Sequence, residues 1–155
     1  MYKYFFCIFS IFFMTGCANQ EPLKKVTSSG KPEGVYSNTT KSSVKDALST
    51  YCNERGFIVL ESTDSGVLCS KKTEGGTAVM SQLAIGNSYS TTPEVKLKFS
   101  ISEVGEVIKV WADAWFETQM AMGQVNRMDI KNNSDINQIQ DRLDNLSPKK
   151  IQEKK

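Results

Sequence analysis

The chain has 155 residues, 19 Lys and Arg against 17 Asp and Glu, a net charge of +2, and no histidine. A near-neutral balance without a basic stripe gives no support to nucleic-acid binding. The absence of histidine rules out Ser-His-Asp and Cys-His catalysis and a histidine general base near neutral pH.

Lys3 precedes an apolar run from Tyr4 to Met14, which closes on Thr15-Gly16-Cys17. A short basic start, an apolar core and small residues before a cysteine make a secretory signal. The run falls short of the roughly 20 residues that span a bilayer. Removing residues 1–16 from the 155 leaves 139, enough for one compact domain and a tether. Of the four cysteines, Cys7 leaves with the signal and Cys17 stands at its end, so Cys52 and Cys69 remain as a pair. In an exported chain such a pair suggests one disulfide, and a closed loop of about 17 residues adds roughly 3 kcal/mol. Two buried free thiols or a metal site are the alternatives. Zinc normally needs four N or S ligands, so a chain without histidine offers a poor site.

Residues 17–40 hold Cys17 and then a stretch rich in Ser, Thr, Lys, Gly, Pro and Asn, with few large apolar residues. It reads as a flexible tether, and the folded domain is expected over 41–147. A helix begins near Ser42 or Ser43, with Ser43 as cap and Asp46 in its first turn. Val44, Ala47, Leu48, Tyr51 and Cys52 share one helical face, and Gly56 ends the element. The period then falls to two. Strands are expected at 57–61 and 67–71 around an Asp64-Ser65-Gly66 turn, placing Cys69 under the helix that carries Cys52. Further strands are expected at 77–85, after the Glu74-Gly75-Gly76 turn, at 94–102 and from 106 to about 120. Ile136, Ile139, Leu143 and Leu146 form the stripe of a last helix, capped by Asn133 or Ser134 and followed by Pro148. Residues 148–155 read as a solvated basic tail. The order predicts an α+β fold: an N-terminal helix, a five-stranded antiparallel meander sheet and a C-terminal helix, with the helices on one sheet face.

In the last strand Ile108, Val110, Ala112, Ala114 and Phe116 alternate with Trp111, Asp113 and Trp115. The first set reads as the core face, because its alanines let a helix lie close. Trp111 and Trp115 then mark the opposite face as a candidate partner surface, unless residues 86–93 or 121–132 cover them. Asp113 reads as an exposed residue of that face, and no carboxylate pair stands out as catalytic. The glycines at 75, 76 and 86 do not open a helix after a strand as phosphate loops require, and read as turns.

Met14-Thr15-Gly16-Cys17 resembles the lipobox of bacterial lipoprotein signals, with methionine where leucine is most usual. The likeness covers about 20 residues. It implies acylation of Cys17 as the first mature residue and a membrane held through the lipid. Ala18, rather than aspartate, is similar to the pattern retained for the outer membrane, which implies a periplasm-facing address. A small disulfide-stapled helix-on-sheet domain also looks like modules of envelope accessory lipoproteins, a likeness of fold alone. The function expected is non-enzymatic: a protein-interaction module of the envelope, without metal or cofactor. The alternative is a lipoprotein inhibitor of a hydrolase such as lysozyme, although its inhibitory loop motifs have no convincing counterpart here.

Overall fold

The structure is a computed structural model and describes residues 20–151, so the signal segment, Cys7 and Cys17 lie outside the described residues. Its elements are β1 (Glu33–Ser37), α1 (Lys41–Glu54), β2 (Ile58–Thr63), β3 (Gly66–Lys72), α2 (Gly75–Ile85), β4 (Glu94–Val104), β5 (Val107–Gln119), β6 (Val125–Asp129) and α3 (Asn133–Asp144).

The fold is α+β, built on a six-stranded antiparallel sheet of order β1-β5-β4-β3-β2, with β6 also paired to β5. Strands β2 to β6 form a meander, with α2 inserted between β3 and β4. The long outer edge of β5 is shared. β1 pairs with Val107–Trp111 and β6 with Trp115–Gln119.

One face of this sheet is sealed. Val44, Leu48 and Cys52 of α1 recur every fourth residue and are fully buried against Val67, Cys69, Leu97 and Phe99. Tyr51 meets Phe99 edge-on, with ring centroids 6.1 Å apart. Cys52 and Cys69 are disulfide-bonded, with Cα atoms 6.3 Å apart, so the helix is stapled to the hairpin's second strand. The cap of α1 is Thr40 and not Ser43. Thr40 is extended, and its side chain accepts from the Ser43 backbone N–H at 3.1 Å. Gly56, at φ +73°, then reverses the chain into β2. Leu143 of α3 completes the core, with Ile139 and Leu146 packed beside it.

Further expectations need correction, among them the cap of α3, which is Asn132 and not Asn133 or Ser134. Residues 77–85 are not a strand but most of α2, and Gly75 and Gly76, expected as a turn, open that helix shortly after β3. The run mixes β-branched residues with strong helix formers (Ala78, Met80, Gln82, Leu83, Ala84), and a short apolar stretch does not reveal its period. The domain does not begin at 41, because Glu33–Ser37 is a full edge strand. Its anchor is polar. The buried Gln140 side chain accepts from the Glu33 N–H and donates to the Glu33 carbonyl, both at 2.9 Å. Asn137, one turn earlier, treats residues 22–24 alike: it accepts from Lys24 N at 2.8 Å and donates to the Pro22 carbonyl at 2.9 Å. Tyr36 adds a bond from its hydroxyl to the Leu143 carbonyl at 2.7 Å, and burial pushes its phenol above the usual range. Finally, the basic tail is tied down as far as residue 151. Thr39 bridges to Lys150, and Ile151 N–H donates to the Asn38 carbonyl at 2.9 Å.

Candidate functional site

Alternation along β5 decides which side chains remain available. Ile108, Val110 and Ala112 are buried under the helices, while Lys109, Trp111, Asp113 and Trp115 point to the other face. α2 lies on the helical side too. Asn126, paired with the buried Thr118, donates to the Ile85 carbonyl at the end of α2 at 3.0 Å. Among the described residues, no helix covers the opposite face.

The sheet register lays this open face out in rows. One row runs Ile58, Ser70, Lys96, Trp115, Asp129 across five strands, and another runs Thr63, Gly66, Ser100, Trp111, Glu33. The first row is a consolidated polar layer. Glu94 accepts from Ser70 at 2.6 Å and from Lys96 at 2.7 Å, and those two bonds, the Lys96 one foremost, hold its carboxyl below the usual range. Trp115 is only 7% exposed. The Arg127 guanidinium of β6 stacks 4.0 Å from its ring centroid, and its Nε1 donates to Glu117 at 2.9 Å. The two tryptophans are therefore not equivalent. Residues 121–132 do cover Trp115, through β6, whereas Trp111 stays half-buried beside Ser100 and Glu33.

The second row contains the one side-chain gap of that stretch. A β-carbon at Gly66 would collide with the Phe99 carbonyl, so the close approach of β3 to β4 requires glycine there. Glycine leaves a depression of about 290 Å³ on the open face, bounded by Glu61, Thr63, Leu68, Lys98 and Ser100. Trp111 stands across the strand pair from Ser100. Asp113, which lies where β5 has neither β1 nor β6 beside it, is ion-paired with Lys31 at 2.9 Å. A cavity of about 190 Å³ remains between β1 and β6, with Lys31, Asp113 and Ile130 among its walls.

No signal in the sequence points to the Gly66 depression, since a glycine next to a turn usually serves the turn. Among the described residues no three Cys, Asp or Glu side chains gather to hold a metal ion. The face offers an aromatic anchor, a shallow depression and charges of both signs, a set suited to non-covalent recognition. Known family models, curated proteins and solved structures give no match to this chain.

Proposed function

We propose that this chain is a lipid-anchored protein of the bacterial envelope that works without catalysis, as a docking module whose open sheet face engages a protein partner. The contrast between the faces of one sheet carries the reading. Three helices and a disulfide lie on one side. The other side presents Trp111 in the same row as the Gly66 depression, with Lys98 and Glu61 at the rim. Aromatic anchors beside small pockets are where interfaces concentrate their affinity.

The address rests on the Met14-Thr15-Gly16-Cys17 motif, with Cys17 as the acylated residue. The Cys52–Cys69 disulfide supports it, because such bonds persist in oxidising compartments. Ala18 favours the outer membrane, facing the periplasm. Trp115 is assigned to packing and Trp111 to contact.

A photo-crosslinking amino acid at Ser100, with the same residue at Ser42 on the helical side as control, tests the reading in living cells. One discrete protein adduct from position 100 and none from position 42 is the expected result. Equal adducts at both positions, or none, would overturn it. A wall-degrading hydrolase in the adduct would instead place the protein among hydrolase inhibitors.

A further inference from the structure

The helix α2 is inside out. Its sole buried residue is Ser81, whose hydroxyl is spent on the Thr77 and Ala78 carbonyls at 2.8 and 3.1 Å. Gln82 is turned toward the following loop, donating to the Asn87 carbonyl at 2.6 Å. The apolar side chains point outward instead: Val79, Met80 and Leu83 are 60%, 69% and 77% exposed. The turn joining β5 to β6 and the loop after α2 repeat the pattern, with Met122 98% and Tyr89 82% exposed. All of these segments lie at the end of the sheet where β5 finishes, since α2 touches β5 and β6 and its last carbonyl is held by Asn126.

Charge is missing from these segments themselves, while Lys72, Glu94 and Glu117 stand beside them on the sheet. No Asp, Glu, Lys or Arg occurs between Glu74 and Glu94, or between Glu117 and Arg127. Such segments meet hydrocarbon without the cost of dehydrating ions of their own.

The path of the N-terminal segment supplies the occupant. Going back from Lys24 to Glu21, the chain climbs α3 from Asp141 to Asn133, which donates to the Glu21 carbonyl at 2.7 Å. That is toward the start of α3, which follows the Ile130 N–H bond to the Ala114 carbonyl at the middle of β5, and away from the Tyr36 end. Cys17 is four residues before Glu21 and so reaches at most about 14 Å from it. An acyl chain on Cys17 therefore keeps this point of the domain within about 14 Å of lipid. A long tether would let the domain tumble freely; one this short does not.

We propose that the exposed face of α2, with Met122 and Tyr89, is seated on the lipid surface, so that the domain stands on the bilayer by the end where β5 finishes. The proposal rests on the lipid-anchor reading above. It fixes an orientation: the 13 residues of β5 run away from the membrane for about 40 Å, and the open face with Trp111 looks sideways along it.

The test uses the full mature chain, extracted from membranes with its lipid and reconstituted into phosphatidylethanolamine–phosphatidylglycerol vesicles. An environment-sensitive dye is placed on Leu83→Cys in one sample and on Glu106→Cys, in the turn before β5, in the other. The expected result is a blue-shifted emission at position 83, quenched by doxyl-labelled lipids severalfold more than at position 106. Equal quenching at the two positions in floating protein would overturn the seating and leave the anchor standing. A blue shift at 83 without lipid quenching would assign the face to a second copy or another protein, and also overturn it. Protein that fails to float with the vesicles removes the anchor reading, and the seating with it.

Discussion

Gln140→Leu is the sharpest perturbation of the N-terminal half of this fold. The side chain is 2% exposed and bridges both main-chain groups of Glu33 at 2.9 Å. Leucine fills a similar volume and removes the hydrogen bonds alone. Two bonds of this kind contribute about 1 kcal/mol each, so the loss is about 2 kcal/mol. The third bond, to Asp144, reaches a partly exposed carboxylate and adds little. A drop of that size lowers the thermal midpoint by roughly 6–8 °C in a domain this large. It also raises the population with the N-terminal segment detached by roughly 30-fold, if the damage is confined to that segment. Limited trypsin digestion reads this directly at Lys24, whose backbone N–H and ammonium are held by α3, and at Lys25, which follows it before strand β1. The wild-type chain should resist cleavage there, and the variant should be cut roughly 30-fold faster. Gln138→Ala, at an exposed neighbouring position of α3, should change nothing. Rapid cleavage of the wild-type chain at Lys24 and Lys25, or an unchanged rate in Gln140→Leu, would refute the reasoning.

Replacing Cys52 and Cys69 together by Ala should cost about 3 kcal/mol in urea unfolding, and reduction of the native chain should reach the same midpoint, for a loop of 17 residues. Trp115→Ala should destabilise by about 3–5 kcal/mol because the ring is buried under Arg127, while Trp111→Ala should cost only about 1 kcal/mol and act on partner binding. Glu94 is held below its usual range by Lys96 and Ser70, so its stabilisation is complete above its unfolded pKa and is lost as pH falls through the lower, folded value. Acid titration of Glu94→Gln should therefore show a shallower loss of stability below about pH 4 than the wild-type chain shows.

The elements that are legible in the sequence are those whose burial is apolar and periodic. The Val44–Cys52 face, the alternation of β4 and β5 and the Ile136–Leu143 stripe each report a wet side and a dry side, and together they determine α+β and the pairing of Cys52 with Cys69. β1 is not legible, because it is a short edge strand paired with β5 on one side and held at Glu33 by the Gln140 amide, while Asn137 holds residues 22–24 before it. Hydropathy cannot see a hydrogen bond of that kind. α2 escapes pattern reading for the opposite reason. Its apolar residues face outward, so no alternation with a buried side is present to reveal its period. The alternation of β5 places both tryptophans on the side of the sheet away from the helices, as the structure does. The division of labour between Trp111 and Trp115 depends on β6, which is mostly polar and follows a Met-Gly turn without a strand pattern.

The proposed envelope address and the proposed seating on the bilayer both depend on acylation at Cys17. Growth with a radiolabelled fatty acid, followed by isolation of the protein, tests it most directly. The account predicts label in the wild-type chain, in a product that begins at Cys17, and none in Cys17→Ala. Label retained by Cys17→Ala, or a wild-type chain isolated without lipid, would contradict it.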